Sequence, residues 1–317
     1  MKIGFIGLGN VGGKLAGSLL RNGFDLTVRD LNQEISRPFL DNGAKWGESP
    51  KQIAETVELI ITCLPNPAAS ASVMEADDGV LAGISSGKIW VEMSTTDEEE
   101  VKRLGAKVKA MGGEALDCPV SGGCHRAATG NISIFIGGER SSFEKILPVM
   151  KVLGRRILHT GYLGSASVLK VMTNYLATAN LVTLCEALTT AKKAGMDLST
   201  TYEAIRISSG NSFVHETESQ VILNGSRDIN FTMDLVLKDI SLFQAIAERV
   251  GVPLEVSPLL IDIFKDGEER YGSREWSPNI VRRLEEACDT QVLASGFPGE
   301  MVDNEPEVSG SEVVARV

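Results

Sequence analysis

The amino-acid sequence predicts an α/β protein in which an N-terminal, doubly wound parallel sheet is followed by an all-helical region. Up to about residue 160, short β-branched or apolar runs alternate with longer helix-compatible segments, which is typical of a parallel sheet covered by helices. After Gly164 the pattern changes to long amphipathic segments. The predicted domains are therefore residues 1–161 and residues 162–288, followed by an acidic tail containing Gly and Pro over residues 289–317.

The individual elements follow from the same periodicities. Strands are predicted over residues 2–6, 25–29, 59–63, 88–92, 114–117 and 132–137. Helices are predicted over about 165–194, 199–208, 211–223, 234–250 and 255–271, and Gly195 closes the first of them. The stretch ASGFPGEMVDNEPEVSGSE in the tail has no apolar period, so the tail is expected to be disordered or to lie against a neighbour.

Charge and cysteine usage exclude several classes of function. A formal net charge of −11 without a basic tract disfavours nucleic acid and anionic membranes as partners. No apolar run approaches the ~20 residues of a membrane span. The five cysteines form no CxxC pair and the three histidines are far apart, which predicts reduced thiols and no metal site. We expect a cytoplasmic protein, since the apolar run of MKIGFIGL is shorter than a signal-peptide core.

A glycine-rich segment near the N-terminus predicts a dinucleotide site. In KIGFIGLGNVGGKLAGSLLRNG, Gly7, Gly9 and Gly12 have the G-x-G-x-x-G spacing between a strand and a helix. The first glycine permits a tight turn, the second a close approach of the backbone to a pyrophosphate, and the third close packing of helix against strand. The helix N-terminus then offers N–H groups to the phosphates. Taken alone the pattern is weak, and a glycine-rich turn without a ligand is the alternative.

Asp30 strengthens the dinucleotide interpretation. It ends the next predicted strand, DLTVRD, at the position where an acid accepts hydrogen bonds from an adenosine ribose. Its carboxylate would repel the 2′-phosphate of NADP by roughly 1–4 kcal/mol, so NAD is the expected cofactor. Arg29 could neutralise that phosphate, but strand alternation directs Arg29 and Asp30 to opposite faces.

Three further stretches complete a family pattern, namely DCPVSGG (117–123), GYLGSASVLKVMTN (161–174) and FTMDLVLKD (231–239). With the glycine motif they make the chain resemble the β-hydroxyacid dehydrogenase family, the 3-hydroxyisobutyrate dehydrogenase-like enzymes, over residues 1 to about 288. The resemblance implies an NAD-dependent oxidoreductase that acts on the CH–OH group of a small 3-hydroxy acid and forms its semialdehyde. The tail lies outside the resemblance.

The resemblance also implies the site residues. The substrate carboxylate would be bound by Ser121, Gly122 and Gly123. The catalytic residues would be Lys170, as general acid/base, and Asn174, its hydrogen-bonding companion. Lys238 would close over the nicotinamide and the substrate. The cofactor-binding residues would be Gly7, Leu8, Gly9, Asn10, Val11, Gly12, Asp30, Leu64, Pro65, Thr95 and Lys238.

The residues themselves give these roles a physical basis. An amine among apolar neighbours has a lowered pKa, which suits it to exchange a proton with the substrate oxygen during hydride transfer. On a helix, Lys170 and Asn174 lie one turn apart on the same face, so both can meet one substrate. The alternative is a lysine that extends to solvent. Consecutive glycines after a strand expose backbone N–H groups that bind anions, and the alternative is an ordinary loop.

Departures from the family pattern leave the activity class intact. They are Val11, Ala166 and Thr173, with His125 and Arg126 after the glycine pair. Arg126 is interpreted as a surface arginine or as a contact to a second anionic or polar group of the substrate.

Other functions on the same scaffold are reduction of an imine, against which Lys170 argues, reduction of another carbonyl, and a non-catalytic role as a dinucleotide sensor. Apolar helical faces predict a homodimer or homotetramer.

Overall fold

The computed structural model describes residues 1–316 and divides the chain into two compact units. The first unit contains Met1–Lys170 and the segment that starts at Asp303, and the second contains Val171–Val302. The sequence placed the first boundary after residue 161 and treated everything after residue 288 as a tail. The structure differs because the first turns of one long helix belong to the first unit, and because the chain returns to that unit at Asp303.

The first unit is built on one sheet. In the described residues its strands are β1 (Lys2–Ile6), β2 (Asp25–Arg29), β3 (Lys45–Trp46), β4 (Leu59–Thr62), β5 (Ile89–Glu92), β6 (Glu114–Asp117), β7 (Val120–Ser121), β8 (Ile132–Gly137), β9 (Gly154–Gly161) and β10 (Ser311–Glu312). The spatial order is β10-β9-β8-β6-β5-β4-β1-β2-β3, and β7 pairs with β8. Strands β1 to β6 are mutually parallel, whereas β8 is antiparallel to β6. The predicted doubly wound parallel sheet is therefore confirmed and carries an antiparallel extension.

Helices cover both faces of this sheet. They are α1 (Asn10–Arg21), α2 (Arg37–Asp41), α3 (Pro50–Thr56), α4 (Pro67–Glu75), α5 (Glu98–Ala110), α6 (Cys124–Ala128) and α7 (Arg140–Leu153). Along β4, Leu59 and Ile61 enter one hydrophobic core, and Ile60 enters the other. Because successive side chains of a strand point to opposite faces, near-continuous apolar strands such as LIIT fill two cores at once.

Helix α8 (Ser165–Lys193) leads from the first unit into the second. The second unit continues with α9 (Leu198–Arg206), α10 (Phe213–Asn224), α11 (Met233–Val250), α12 (Val256–Tyr271) and α13 (Arg282–Ala287). Its core contains Leu188, Ile222, Ile240 and Phe264 from four of these helices. The all-helical second region is therefore confirmed. Among the described residues, no helix is both long and apolar enough to cross a membrane.

Candidate active site

The glycine-rich loop between β1 and α1 has the packing that its spacing predicts. Gly7 has a φ of +99°, and a Cβ built on it would lie 2.2 Å from the carbonyl oxygen of Cys63. A Cβ on Gly12 would lie 2.1 Å from the carbonyl oxygen of Gly7. Gly9 is exposed and has no heavy atom within 4 Å of a built Cβ. Two glycines therefore permit the turn and the packing of the helix, and the third leaves the backbone open to a ligand.

Asp30 is tied to this loop by a backbone contact. Its Oδ2 accepts a hydrogen bond from the Leu8 N–H at 2.7 Å, and its Oδ1 accepts one from the Asn32 N–H at 3.0 Å. Helix α1 starts at Asn10, after Gly9, with no side-chain hydrogen bond at its N-cap in the described chain. The first-turn N–H groups and the positive end of the helix dipole are thus available for phosphates. These residues fit a dinucleotide.

A buried acid joins the two loops that contain the other predicted cofactor residues. The Leu64 N–H donates to Ser94 Oγ at 2.7 Å, and the Ser94 N–H donates to Glu92 Oε1 at 2.9 Å. Glu92 is fully buried, and burial raises the pKa of its carboxyl group. Pro65 follows Leu64 and is exposed, while Thr95 follows Ser94 and is half-buried. The network fixes both loops at the carboxyl ends of β4 and β5, where doubly wound sheets bind ligands.

The predicted carboxylate cradle consists of Ser121, the last residue of β7, and of Gly122 and Gly123, which lie between β7 and α6. Gly122 and Gly123 have φ angles of +131° and +88°, a conformation that favours glycine. The next two polar side chains fold back over them: a Cβ on Gly122 would lie 3.4 Å from Arg126 Cδ, and one on Gly123 would lie 2.8 Å from His125 Cε1. Burial lowers the pKa of His125, and the charge of Arg126 lowers it further. The negative charge of Asp303 opposes this decrease.

Asp117 connects the strand that leads into the cradle with the helix that contains Lys170. The Asp117 carboxylate is fully buried and accepts hydrogen bonds from Gly164 N–H at 2.8 Å, Ser167 N–H at 2.7 Å and Ser167 Oγ at 2.9 Å. Burial raises the pKa of Asp117, and these three donors oppose the increase. Asp117 thereby satisfies the N-terminus of α8 one turn before Lys170, whose side chain is buried (8% exposed).

In the second unit, Asp239 brings two predicted residues together. Asn174 Nδ2 donates to Asp239 Oδ2 at 2.5 Å, and Lys238 Nζ lies 3.1 Å from Asp239 Oδ1. The Asp239 side chain is buried (2% exposed), so the carboxylate holds an amide and an ammonium group from α8 and α11 in a fixed arrangement.

The sequence interpretation did not assign roles to Asp117, Asp239 or Glu92. Asp117 and Asp239 lie inside the stretches DCPVSGG and FTMDLVLKD, and each is an acid next to apolar residues in a segment predicted to be regular. An acid in such a position could have been recognised as structurally important from the sequence, because a buried carboxylate requires hydrogen-bond partners. The described residues contain no group of three or more His, Cys, Asp or Glu side chains that could hold a metal ion.

Comparisons with known proteins match both units. Residues 2–161 match the family described as the NAD binding domain of 6-phosphogluconate dehydrogenase. Residues 164–284 match the family described as NAD-binding of NADP-dependent 3-hydroxyisobutyrate dehydrogenase.

The relatives are similar over most of their length. A 2-(hydroxymethyl)glutarate dehydrogenase from Eubacterium barkeri is 32% identical over 92% of this chain and 97% of the relative. The mitochondrial 3-hydroxyisobutyrate dehydrogenase of Rattus norvegicus is 28% identical over 83% of this chain and 81% of the relative. A crystal structure of 3-hydroxyisobutyrate dehydrogenase from Salmonella typhimurium aligns with a TM-score of 0.81 at 26% identity, covering 89% of this chain and 99% of that one.

Proposed function

This chain belongs to the β-hydroxyacid dehydrogenase family, and we propose that it interconverts a small 3-hydroxy acid and its semialdehyde with NAD as the cofactor. The family is one of nicotinamide-dependent hydroxyacid dehydrogenases. The observation that carries the proposal is a buried lysine, Lys170, on a helix whose first turn is held by Asp117. A lysine that only extended to solvent would need neither the burial nor the anchored helix.

We propose that the cofactor is held by the glycine loop, Asp30, Leu64, Pro65 and Thr95. When bound, the cofactor would accept a hydride from the carbinol carbon of the substrate. The Asp30 carboxylate supports NAD over NADP, because it lies at the predicted ribose-binding position and would repel a 2′-phosphate. Its contact with Leu8 N–H keeps the carboxylate in place. Lys238, held against Asp239, is proposed to contact the nicotinamide and the substrate.

The substrate carboxylate is proposed to bind the backbone N–H groups of Gly122 and Gly123 and the hydroxyl group of Ser121. As the hydride leaves the carbinol carbon, the Lys170 amine accepts the hydroxyl proton, and in the reduction the ammonium group returns it. Asn174 lies one helical turn from Lys170 on α8 and donates its Nδ2 hydrogen bond to Asp239, so the orientation of its amide group is fixed. We propose that Asn174 orients the substrate next to Lys170.

The substrate class follows from the carboxylate cradle and from the relatives. The names of two relatives specify 3-hydroxyisobutyrate and 2-(hydroxymethyl)glutarate, and both acids have a hydroxymethyl group on a carbon that bears a carboxylate. We propose that the substrate of this chain also has a hydroxymethyl group on the carbon that bears the carboxylate, and that it differs from the two named acids only in the other substituent on that carbon.

A panel of 3-hydroxy acids, including the two named above, tests the function. Each acid is incubated with NAD or NADP while the nicotinamide absorbance is followed. Lys170→Ala should lower kcat by about 10²–10⁴ and leave NAD binding intact, the usual contribution of a positioned acid/base. Lys170→Arg should not restore kcat, because a guanidinium group does not release a proton near neutral pH.

Lys192→Ala is the matched control, since Lys192 is an exposed lysine on the same helix. It should retain wild-type kcat. Retention of more than about a tenth of kcat in Lys170→Ala would leave the lysine as a binding residue. Binding of NAD without turnover of any acid would instead favour a dinucleotide sensor.

A further inference from the structure

The segment from Asp303 to Val313, here called the strap, lies outside the two matched families and packs on the first unit. Its last part is anchored by the backbone. The Gly310 N–H donates to the Lys151 carbonyl oxygen at 2.7 Å, β10 extends the sheet beside β9, and the Val313 N–H donates to the Ile157 carbonyl oxygen at 2.7 Å. The sequence left open whether this region is disordered or lies against a neighbour, and in the structure the strap packs on the first unit of its own chain.

The first part of the strap contacts the loop that follows the carboxylate cradle. The Asp303 carboxylate accepts hydrogen bonds from Thr129 Oγ1 and from Asn131 Nδ2, the latter at 2.8 Å. Asn131 Nδ2 also donates to the Glu305 carbonyl oxygen at 3.1 Å. Thr129 and Asn131 flank Gly130 between α6 and β8, so the strap holds both ends of this turn.

Two further acids extend the contact. Glu305 Oε2 lies 2.6 Å from Arg155 Nη1, and Glu305 Oε1 lies 3.8 Å from Arg126 Nη2. Glu307 accepts a hydrogen bond from Asn22 Nδ2 at 2.9 Å, and a Cβ built on Gly130 would lie 3.5 Å from its Oε1. The acidic side chains at alternate positions of the strap thus face the same loop and its neighbours.

Arg126 lies between the strap and the cradle. The aliphatic part of its side chain packs over Gly122, while its guanidinium group faces Glu305. Gly122 and Gly123 have no side chains and adopt positive φ angles, so the loop has little to restrict its backbone locally. A loop of this kind requires contacts from outside to remain in one conformation.

We propose that Asp303 and Glu305 are positioning residues that order residues 122–131, so that the Gly122 and Gly123 N–H groups stay directed at the substrate carboxylate. The inference rests on the proposed function for the use of the cradle, and on the contacts above for its ordering. The strap touches no predicted cofactor residue in the contacts described. Its loss should therefore raise KM for the acid and spare NAD binding.

The test compares wild-type enzyme with the double variant Asp303→Ala/Glu305→Ala. Amide hydrogen exchange of residues 122–131, measured without substrate, should become faster. KM for the acid should rise roughly five- to tenfold while kcat and the Kd for NAD remain near wild type, as expected for the loss of a few charged hydrogen bonds. Asp303→Asn/Glu305→Gln keeps acceptor oxygens and should give intermediate values. Thr129→Val removes the same contact from the loop side and serves if the double variant unfolds.

Glu312→Ala is the matched control, because Glu312 is an acid of the strap that pairs with Arg140 on α7 instead of the loop. It should change neither exchange nor KM. Unchanged exchange of residues 122–131 in the double variant and in Thr129→Val would overturn the inference. Faster exchange with unchanged KM would also overturn it, provided that Ser121→Ala raises KM. If Ser121→Ala leaves KM unchanged, the cradle assignment fails, and hydrogen exchange alone decides whether the strap orders the loop.

Discussion

Asp30 is the residue on which the proposed preference for NAD depends. Its carboxylate accepts hydrogen bonds from the N–H groups of Leu8 and Asn32, which hold it beside the glycine loop. Asp30→Ala is expected to relax the preference for NAD by about tenfold or more, within the repulsion of roughly 1–4 kcal/mol that it removes. The measurement is kcat/KM with NAD and with NADP at fixed acid concentration.

Asp25→Asn is the control for this prediction, since Asp25 is an exposed acid at the other end of the same strand and pairs with Lys45. It should leave the NAD to NADP ratio unchanged. A wild-type enzyme with the higher kcat/KM for NADP would show that Asp30 does not act against the 2′-phosphate.

At the same scale, motifs assigned candidate contacts to small molecules but did not indicate the residues that hold those candidates in place. Lys170, Asn174 and Lys238 were assigned from family stretches. Asp239 was not assigned a role, although its carboxylate contacts both Asn174 and Lys238. The stretch FTMDLVLKD does not indicate which other helix this carboxylate contacts. That information depends on tertiary packing.

Among the elements, the structure confirms strands where the sequence had a buried apolar run. Strands β1, β2, β6 and β8 have the predicted bounds, and β4 and β5 are one residue shorter. Strand β9, with the sequence GRRILHTG, was missed because most of it is half-buried and it has no continuous apolar stretch. The two-residue strands β3, β7 and β10 are shorter than any period can reveal.

The connection between β6 and α8 gives a prediction at this scale. Asp117→Asn replaces one acceptor oxygen by an NH₂ group, which would face the N–H of Gly164 or Ser167. Each hydrogen bond to a charged group contributes about 1.5–3 kcal/mol, so unfolding should occur at lower temperature and kcat should fall at least tenfold as the first turn of the Lys170 helix loosens. Thermal unfolding and initial rates measure the two effects.

Ser167→Ala is the matched comparison, because it removes the hydroxyl donor and keeps the backbone one. It should have a clearly smaller effect than Asp117→Asn on both quantities. Equal kcat in wild type and Asp117→Asn would contradict a positioning role for the carboxylate.

For the whole molecule, acids with opposite pKa shifts determine how stability depends on pH. Hydrogen bonds from Arg103 and Lys107 lower the pKa of Glu75 to about 2, so its stabilising contribution is present above its ordinary value of 4.5 and is lost as pH falls towards 2. Burial raises the pKa of Glu218 to about 8. The first shift weakens the fold as pH falls from 4.5 towards 2, and the second weakens it as pH rises from 4.5 towards 8.

Near neutral pH, Glu218 affects the pH dependence of stability more than Glu75 does. It lies on α10, and its Oε2 is inaccessible and has no hydrogen-bond partner in the described chain. Between its ordinary value of 4.5 and about 8, the folded state binds more protons at this site than the unfolded state. Stability therefore falls as pH rises through this range and levels off above it. The increasing negative charge of a chain with a net charge of −11 acts in the same direction.

Glu218→Gln should remove the part of this decline that comes from one carboxyl group, since the amide remains neutral at every pH. We expect wild type and Glu218→Gln to unfold at similar temperatures below the ordinary pKa of 4.5, where both side chains are neutral. At pH ~8 the variant should be more stable by on the order of 1–3 kcal/mol, or several degrees. Glu216→Gln, an exposed acid on the same helix, should show no such dependence. Unfolding temperatures of the three proteins measured from pH ~4.5 to ~8.5 decide the prediction, and parallel curves for wild type and Glu218→Gln would show that Glu218 ionises in the folded protein as it does in water.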